Sequence, residues 1–219
     1  MLLTSYSIKP NLTELEKMNL QKLPLIKVVL ASQSPRRVEL LKQMGVDCEI
    51  LPTDIDESAL PNETPQAYVL RLARQKALAA DRLLKEKSSE IQALPIIAAD
   101  TTVVLHGEIL GKPENDADAE RMLTNLAGST HTVLTAVAIA MHGQTEVLLS
   151  NTLVTMMPLT KTQILSYIAQ GEHAGKAGSY GIQGLAAAWI QEIRGSYSGV
   201  MGLPIYETAC LLRKYGCYL

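Results

Sequence analysis

Pro24-Leu25-Ile26-Lys27-Val28-Val29-Leu30-Ala31, running without a break into Ser32-Gln33-Ser34-Pro35-Arg36-Arg37, is the stretch that decides the fold. Its first part is a short apolar run rich in β-branched residues, which reads as a buried strand. Ser34 is a good helix N-cap, and Pro35 suits the first helical position. Val38, Leu40, Leu41 and Met44 then mark one apolar helix face, which Gly45 ends. A strand therefore passes straight into a helix start, through a loop holding two serines and two arginines.

The alternation continues outward from this unit. Cys48 to Leu51 reads as a second strand, leading into the acidic loop Asp54-Ile55-Asp56-Glu57. Thr64-Pro65 opens a long helix with Tyr68, Leu70, Leu72, Ala73, Ala77 and Ala80 spaced for burial, and Lys85 to Ser89 as its solvated end. Pro95-Ile96-Ile97-Ala98-Ala99 is an apolar run that stops at Asp100, and Thr101 to Leu105 continue as strand. His106-Gly107 is a tight turn returning through Glu108-Ile109-Leu110. Asp116 is expected to cap a helix ending near Gly128. His131 to Met141 and Thr145 to Met156 read as strands about the turn His142-Gly143. Thr160 and Gln163 form a capping box before a helix from Ile164 to Ala169, stopped by Gly171. Ala186 to Ile193 is a further strand candidate, and Pro204 opens the last helix. The fold class expected is α/β or α+β, with helices flanking a sheet that the hairpins make mixed. Residues 1–24 read as an N-terminal extension and residues 25–219 as a single domain.

Composition narrows the function classes. The 219 residues are 47% hydrophobic and 19% charged, which suits a sizeable core and argues against disorder. A net charge of −2 without a basic stripe argues against a nucleic-acid partner, while leaving room for a small anionic ligand. No run approaches the roughly 18 apolar residues of a membrane span, and residues 1–23 lack the pattern of a signal peptide. Cys48, Cys210 and Cys217 fit no zinc spacing and read as reduced thiols, so a cytoplasmic location is expected. His106, His131, His142 and His173 show no metal-ligand spacing either, and His106 and His142 look like turn residues.

Four features bear on chemistry. Ser32, Ser34, Arg36 and Arg37 surround a helix start, where outward N–H groups, hydroxyls and guanidinium forks suit phosphate oxygens. Asp100 is expected at the carboxyl end of an interior strand, where ligands of open α/β sheets gather. There it can hold a divalent cation, orient and deprotonate a water, or simply cap a turn. Lys76 on the long helix and Lys112 after the hairpin are surface lysines taken singly, but with Asp100 and the serine–arginine loop they can neutralise a polyphosphate. Gly178, Gly181 and Gly184 lie in a stretch where backbone can approach a ligand, and Gln183 within it offers both a donor and an acceptor to a nucleobase edge.

In order along the chain, Ala31-Ser32-Gln33-Ser34-Pro35-Arg36-Arg37, Asp56-Glu57, Leu72-Ala73-Arg74-Gln75-Lys76-Ala77, Ala99-Asp100-Thr101 and Gly111-Lys112-Pro113 resemble the Maf family of nucleotide pyrophosphatases. So do His131-Thr132-Val133-Leu134-Thr135-Ala136-Val137, Lys176 to Gly184, Gly195-Ser196-Tyr197 and Val200-Met201-Gly202-Leu203-Pro204. The resemblance implies a two-lobed α/β fold around a deep cleft, and hydrolysis of a nucleoside triphosphate between its α and β phosphates with a divalent cation such as Mg2+, Mn2+ or Co2+. It implies Asp100 as proton acceptor, with Ser32, Ser34, Arg36, Arg37, Glu57, Lys76 and Lys112 in the cleft. Arg36, Thr101 and Gln183 match the specificity positions of the subgroup acting on dTTP and UTP. A metal shared by Asp100 and Glu57 follows as an expectation, and a homodimer remains open because relatives are often dimers. Two other readings stay in view: a pyrophosphatase for modified purine nucleotides such as 7-methyl-GTP, and a nucleotide-binding regulator of cell division whose turnover is incidental.

Overall fold

The computed structural model describes residues 26–86 and 90–217. The expected extension over residues 1–24 lies outside the described residues, as do residues 87–89 of the stretch read as a solvated helix end. Seven strands form one sheet in the order β2-β1-β3-β5-β6-β7, with β4 also paired to β3. The strands are β1 (Ile26–Leu30), β2 (Val46–Ile50), β3 (Ile96–Leu105), β4 (Glu108–Leu110), β5 (Thr130–Met141), β6 (Gln144–Met156) and β7 (Ile190–Arg194). β1 runs parallel to β2 and β3, while β3, β4, β5, β6 and β7 pair antiparallel, so the sheet is mixed as the hairpins required.

The helices divide between the two faces. On one face lies α2 (Pro65–Lys85), whose Ala73, Ala77 and Ala80 meet Ala98 of β3 and Ala136, Ala138 and Ala140 of β5. Small side chains on both partners let the helix ride close to the strands, and Val69, unremarked in the spacing, joins that buried face. The other face carries α1 (Pro35–Gln43), α3 (Asp116–Leu126), α4 (Lys161–Ala169), α5 (Tyr197–Met201) and α6 (Ile205–Lys214) over a larger apolar core. Thr160 and Gln163 form the capping box, and the turns at His106-Gly107 and His142-Gly143 have the positive φ that two-residue hairpins demand.

Three expectations are corrected. Asp100 does not end a strand: β3 continues through it to Leu105. The strand that ends is its parallel neighbour β1, whose last pair is Leu30 with Ile97. β4 joins the same edge of β3 only at Val103, so residues 98–102 face a gap between the two. Asn115, not Asp116, caps α3 by accepting from the Asp118 N–H at 3.0 Å. Leu185–Trp189 is a 3-10 turn and the strand starts only at Ile190, because three consecutive alanines carry no β-branched weight.

Candidate active site

The gap beside β3 opens into a cleft of about 960 Å3. Ser32, Ser34, Arg36, Arg37, Glu57, Lys76, Asp100, Thr101, Lys112 and Gln183 all line it, so the structure brings every expected site residue to one place. One wall is the β1–α1 loop and the acidic loop after β2; the other is the segment after β4 and the glycine-rich loop.

Asp100 is buried, pointing to the α2 face of the sheet, and its Oδ1 accepts from Lys76 Nζ at 2.6 Å. The same ammonium meets Glu57 Oε1 at 2.7 Å, and Glu57 Oε2 reaches Lys112 Nζ at 3.5 Å. Two carboxylates and two ammoniums thus alternate along the cleft. Partial burial raises the Glu57 pKa, but the Lys76 and Lys112 ammoniums outweigh it and hold the carboxyl below its ordinary value. Glu57 stands in position because the Tyr68 hydroxyl donates to its carbonyl at 2.9 Å. Arg71 anchors the rest of that loop, meeting Glu63 at 2.6 Å and the Ser58 carbonyl at 3.0 Å.

Ser34 takes the N-cap position of α1 but makes no side-chain cap bond, so the expected capping hydroxyl is replaced by one available to the cleft. Ser32 Oγ accepts from the Ser34 N–H at 3.2 Å and from Arg37 at 3.0 Å, leaving its own proton to donate. The arginines are steered by backbone carbonyls: Arg36 Nε donates to Met201 at 3.2 Å and Arg37 Nε to Gly202 at 2.8 Å. Burial lowers the Arg37 pKa, partly opposed by the Asp100 charge. Thr101 is on the opposite face of β3 from Asp100, where its hydroxyl accepts from Thr135 at 3.0 Å.

The glycine-rich loop is bolted down at several points. The Gly178 N–H donates to the Gly111 carbonyl at 3.0 Å, one residue before Lys112. The buried Tyr180 hydroxyl is 2.7 Å from His131 Nε2, and burial holds that imidazole down at about 4. Gly181 and Gly184 both line the cleft, and their missing side chains also serve the packing of the loop. A Cβ at Gly181 would lie 2.8 Å from Lys176 Cε, and one at Gly184 only 2.0 Å from Glu172 Oε2, so both make room for the protein's own side chains. Residues that sequence reasoning missed include Tyr68, Thr53 and Thr102, which line the cleft; the hydroxyls of Thr53 and Thr102 are buried without a partner.

No group of three or more His, Cys, Asp or Glu forms a metal site among the described residues. Asp100 and Glu57, converging on Lys76, still fit a hard cation of the Mg2+ type, which is held by one or two carboxylates and completed by substrate phosphate oxygens.

A buried carboxylate on a sheet strand, ringed by cations in a deep cleft, defines an α/β protein equipped to take a small polyanion. The Maf-like protein family model matches residues 27–215, and the chain belongs to that family. A relative from Methylobacillus flagellatus, named dTTP/UTP pyrophosphatase, is 50% identical over 192 residues, covering 88% of this chain and 94% of its own. Proteins of the same name from Pseudoalteromonas atlantica and Ralstonia nicotianae are 51% and 52% identical, covering 85% and 84% of this chain and 96% and 92% of their own.

Proposed function

We propose that this protein hydrolyses nucleoside triphosphates, dTTP and UTP before others, between the α and β phosphates, giving the monophosphate and pyrophosphate. The observation that carries the reading is the meeting of Asp100, Glu57, Lys76 and Lys112 with the arginines of α1 in one cleft. The names of the relatives supply the reaction and the pyrimidine preference.

The roles follow from the chemistry. The triphosphate brings several negative charges into the cleft, and Arg36, Arg37, Lys76 and Lys112 offset them. The Ser32 and Ser34 hydroxyls and the α1 amino end donate to phosphate oxygens. Asp100 takes a proton from the attacking water. Lys76 holds that carboxylate in a fixed geometry through its 2.6 Å hydrogen bond. A divalent cation bound at Asp100 and Glu57 would draw charge from the phosphate oxygens. Gln183 presents its amide to the base edge, and Arg36 and Thr101 complete the selection.

The test is a panel of UTP, dTTP, 7-methyl-GTP and ITP with Mg2+, Mn2+ or Co2+, reading pyrophosphate and orthophosphate separately. Pyrophosphate release that is fastest from UTP and dTTP is expected. Preference for 7-methyl-GTP transfers the chain to the purine reading. Tight binding with no pyrophosphate leaves the regulator.

A further inference from the structure

The glycine-rich loop carries a cation with no part in the reaction above. Lys176 lines the cleft, and its stem lies on the backbone of Gly181, where a Cβ would stand 2.8 Å from Cε. Its Nζ donates to the carbonyl of Glu172. The Glu172 carboxylate is turned elsewhere, accepting from the Leu185 N–H at 3.1 Å in the space that Gly184 leaves free. Arg36, on the facing wall, donates through Nε to the carbonyl of Met201 at 3.2 Å. Among the described residues neither Lys176 nor Arg36 forms an ion pair, whereas Lys76 and Lys112 each meet a carboxylate.

Burial lowers the Lys176 pKa first and the Arg36 charge lowers it further, with Glu172 opposing only in part. Both cations line the one cleft, and neither is paired with a carboxylate among the described residues. A neutral carbonyl of a base would leave their repulsion in place. An anion between them would remove it.

Resting on the nucleoside triphosphate reading, the geometry points to Lys176 as a further substrate-binding residue, with a phosphate oxygen of the nucleotide held between its ammonium and the Arg36 guanidinium. The loop that presents Gln183 then grips both ends of the nucleotide. Lys176 selects for charge, and Gln183 for base.

Lys176→Met keeps the stem over Gly181 and removes the charge; Lys176→Arg restores a charge. Inorganic triphosphate is the probe, titrated calorimetrically against the full chain, alongside UTP kinetics and thermal melts. Lys176→Met is expected to weaken triphosphate binding by about 10-fold or more, the scale of one charge-assisted hydrogen bond, with a parallel rise in KM for UTP. Lys176→Arg is expected to recover most of both, which a purely structural bond to the Glu172 carbonyl would not require. Triphosphate affinity of Lys176→Met within twofold of the unaltered chain overturns the inference, and so does a Lys176→Arg variant as weak as Lys176→Met. Binding of triphosphate needs no turnover. An unaltered chain that binds it yet releases no pyrophosphate from UTP therefore counts against the proposed reaction, not against Lys176.

Discussion

Asp100→Asn removes one charge and almost no volume, and the structure says what remains. Lys76 Nζ lies 2.6 Å from Asp100 and 2.7 Å from Glu57, so the substituted chain still offers the ammonium one carboxylate and one amide oxygen. The roughly 3–5 kcal/mol cost of stranding a buried charge is therefore not incurred. Stability should change by no more than about 1 kcal/mol, a shift of roughly 2–4 °C in Tm for a chain of this size. Turnover is a different matter. A positioned base contributes on the order of 100-fold to 10,000-fold, so kcat should fall by at least about 100-fold, near 3 kcal/mol of barrier. KM should hold or fall, because a negative charge facing a polyanion has gone. Pyrophosphate release from UTP at saturating metal, with a melt on the same preparation, measures both. A variant that melts like the unaltered chain and turns over within a few-fold of it would refute Asp100 as the base.

Gly178→Ala places a Cβ 2.9 Å from Val103 Cγ2 at a residue whose φ is +67°, so a loss of about 1–3 kcal/mol is expected in urea unfolding. Adding Val103→Ala should recover only the steric part. Burial holds His131 at about 4, below its ordinary 6.5, so the folded chain binds fewer protons than the unfolded one between those values. Stability should be complete above pH 6.5, fall as the pH drops through that window, and level off near pH 4, losing about 3 kcal/mol at most. His131→Gln should flatten that slope in urea midpoints taken across the window. Gln183→Glu replaces the amide donor with a carboxylate, and should cut the preference for UTP over purine nucleotides by about 10-fold or more in kcat/KM. An unchanged substrate ranking would remove Gln183 from the base pocket.

What the sequence showed plainly was local. Ser34-Pro35, Thr64-Pro65, the Thr160–Gln163 box and the histidine–glycine turns each carry their own backbone instruction, and all lie where the pattern put them. Asp100 sits inside its strand, not at the end that the sequence suggests, because a polar residue after four apolar ones looks like a stop. In fact the neighbouring strand stops, and pairing between distant segments has no local signature. The second use of Gly181 and Gly184, as space for Lys176 and Glu172, has no mark in the sequence because those side chains come from an earlier turn of the chain. The site residues emerged as an ordered set of motifs. The carbonyls of Met201 and Gly202 that aim the arginines did not, since a backbone acceptor looks the same in every residue.

Residues 99 and 101 of β3 turn their peptide groups toward the gap between β1 and β4, by the alternation of the ladder. The reacting carboxylate thus stands beside an internal selvedge, where main-chain polarity is part of the cleft wall and no codon change deletes it. Side-chain replacements around Asp100 can silence the chemistry while this fixed lining persists. A substitution at Asp100 itself should therefore cost turnover while much of the polar lining around it stays in place.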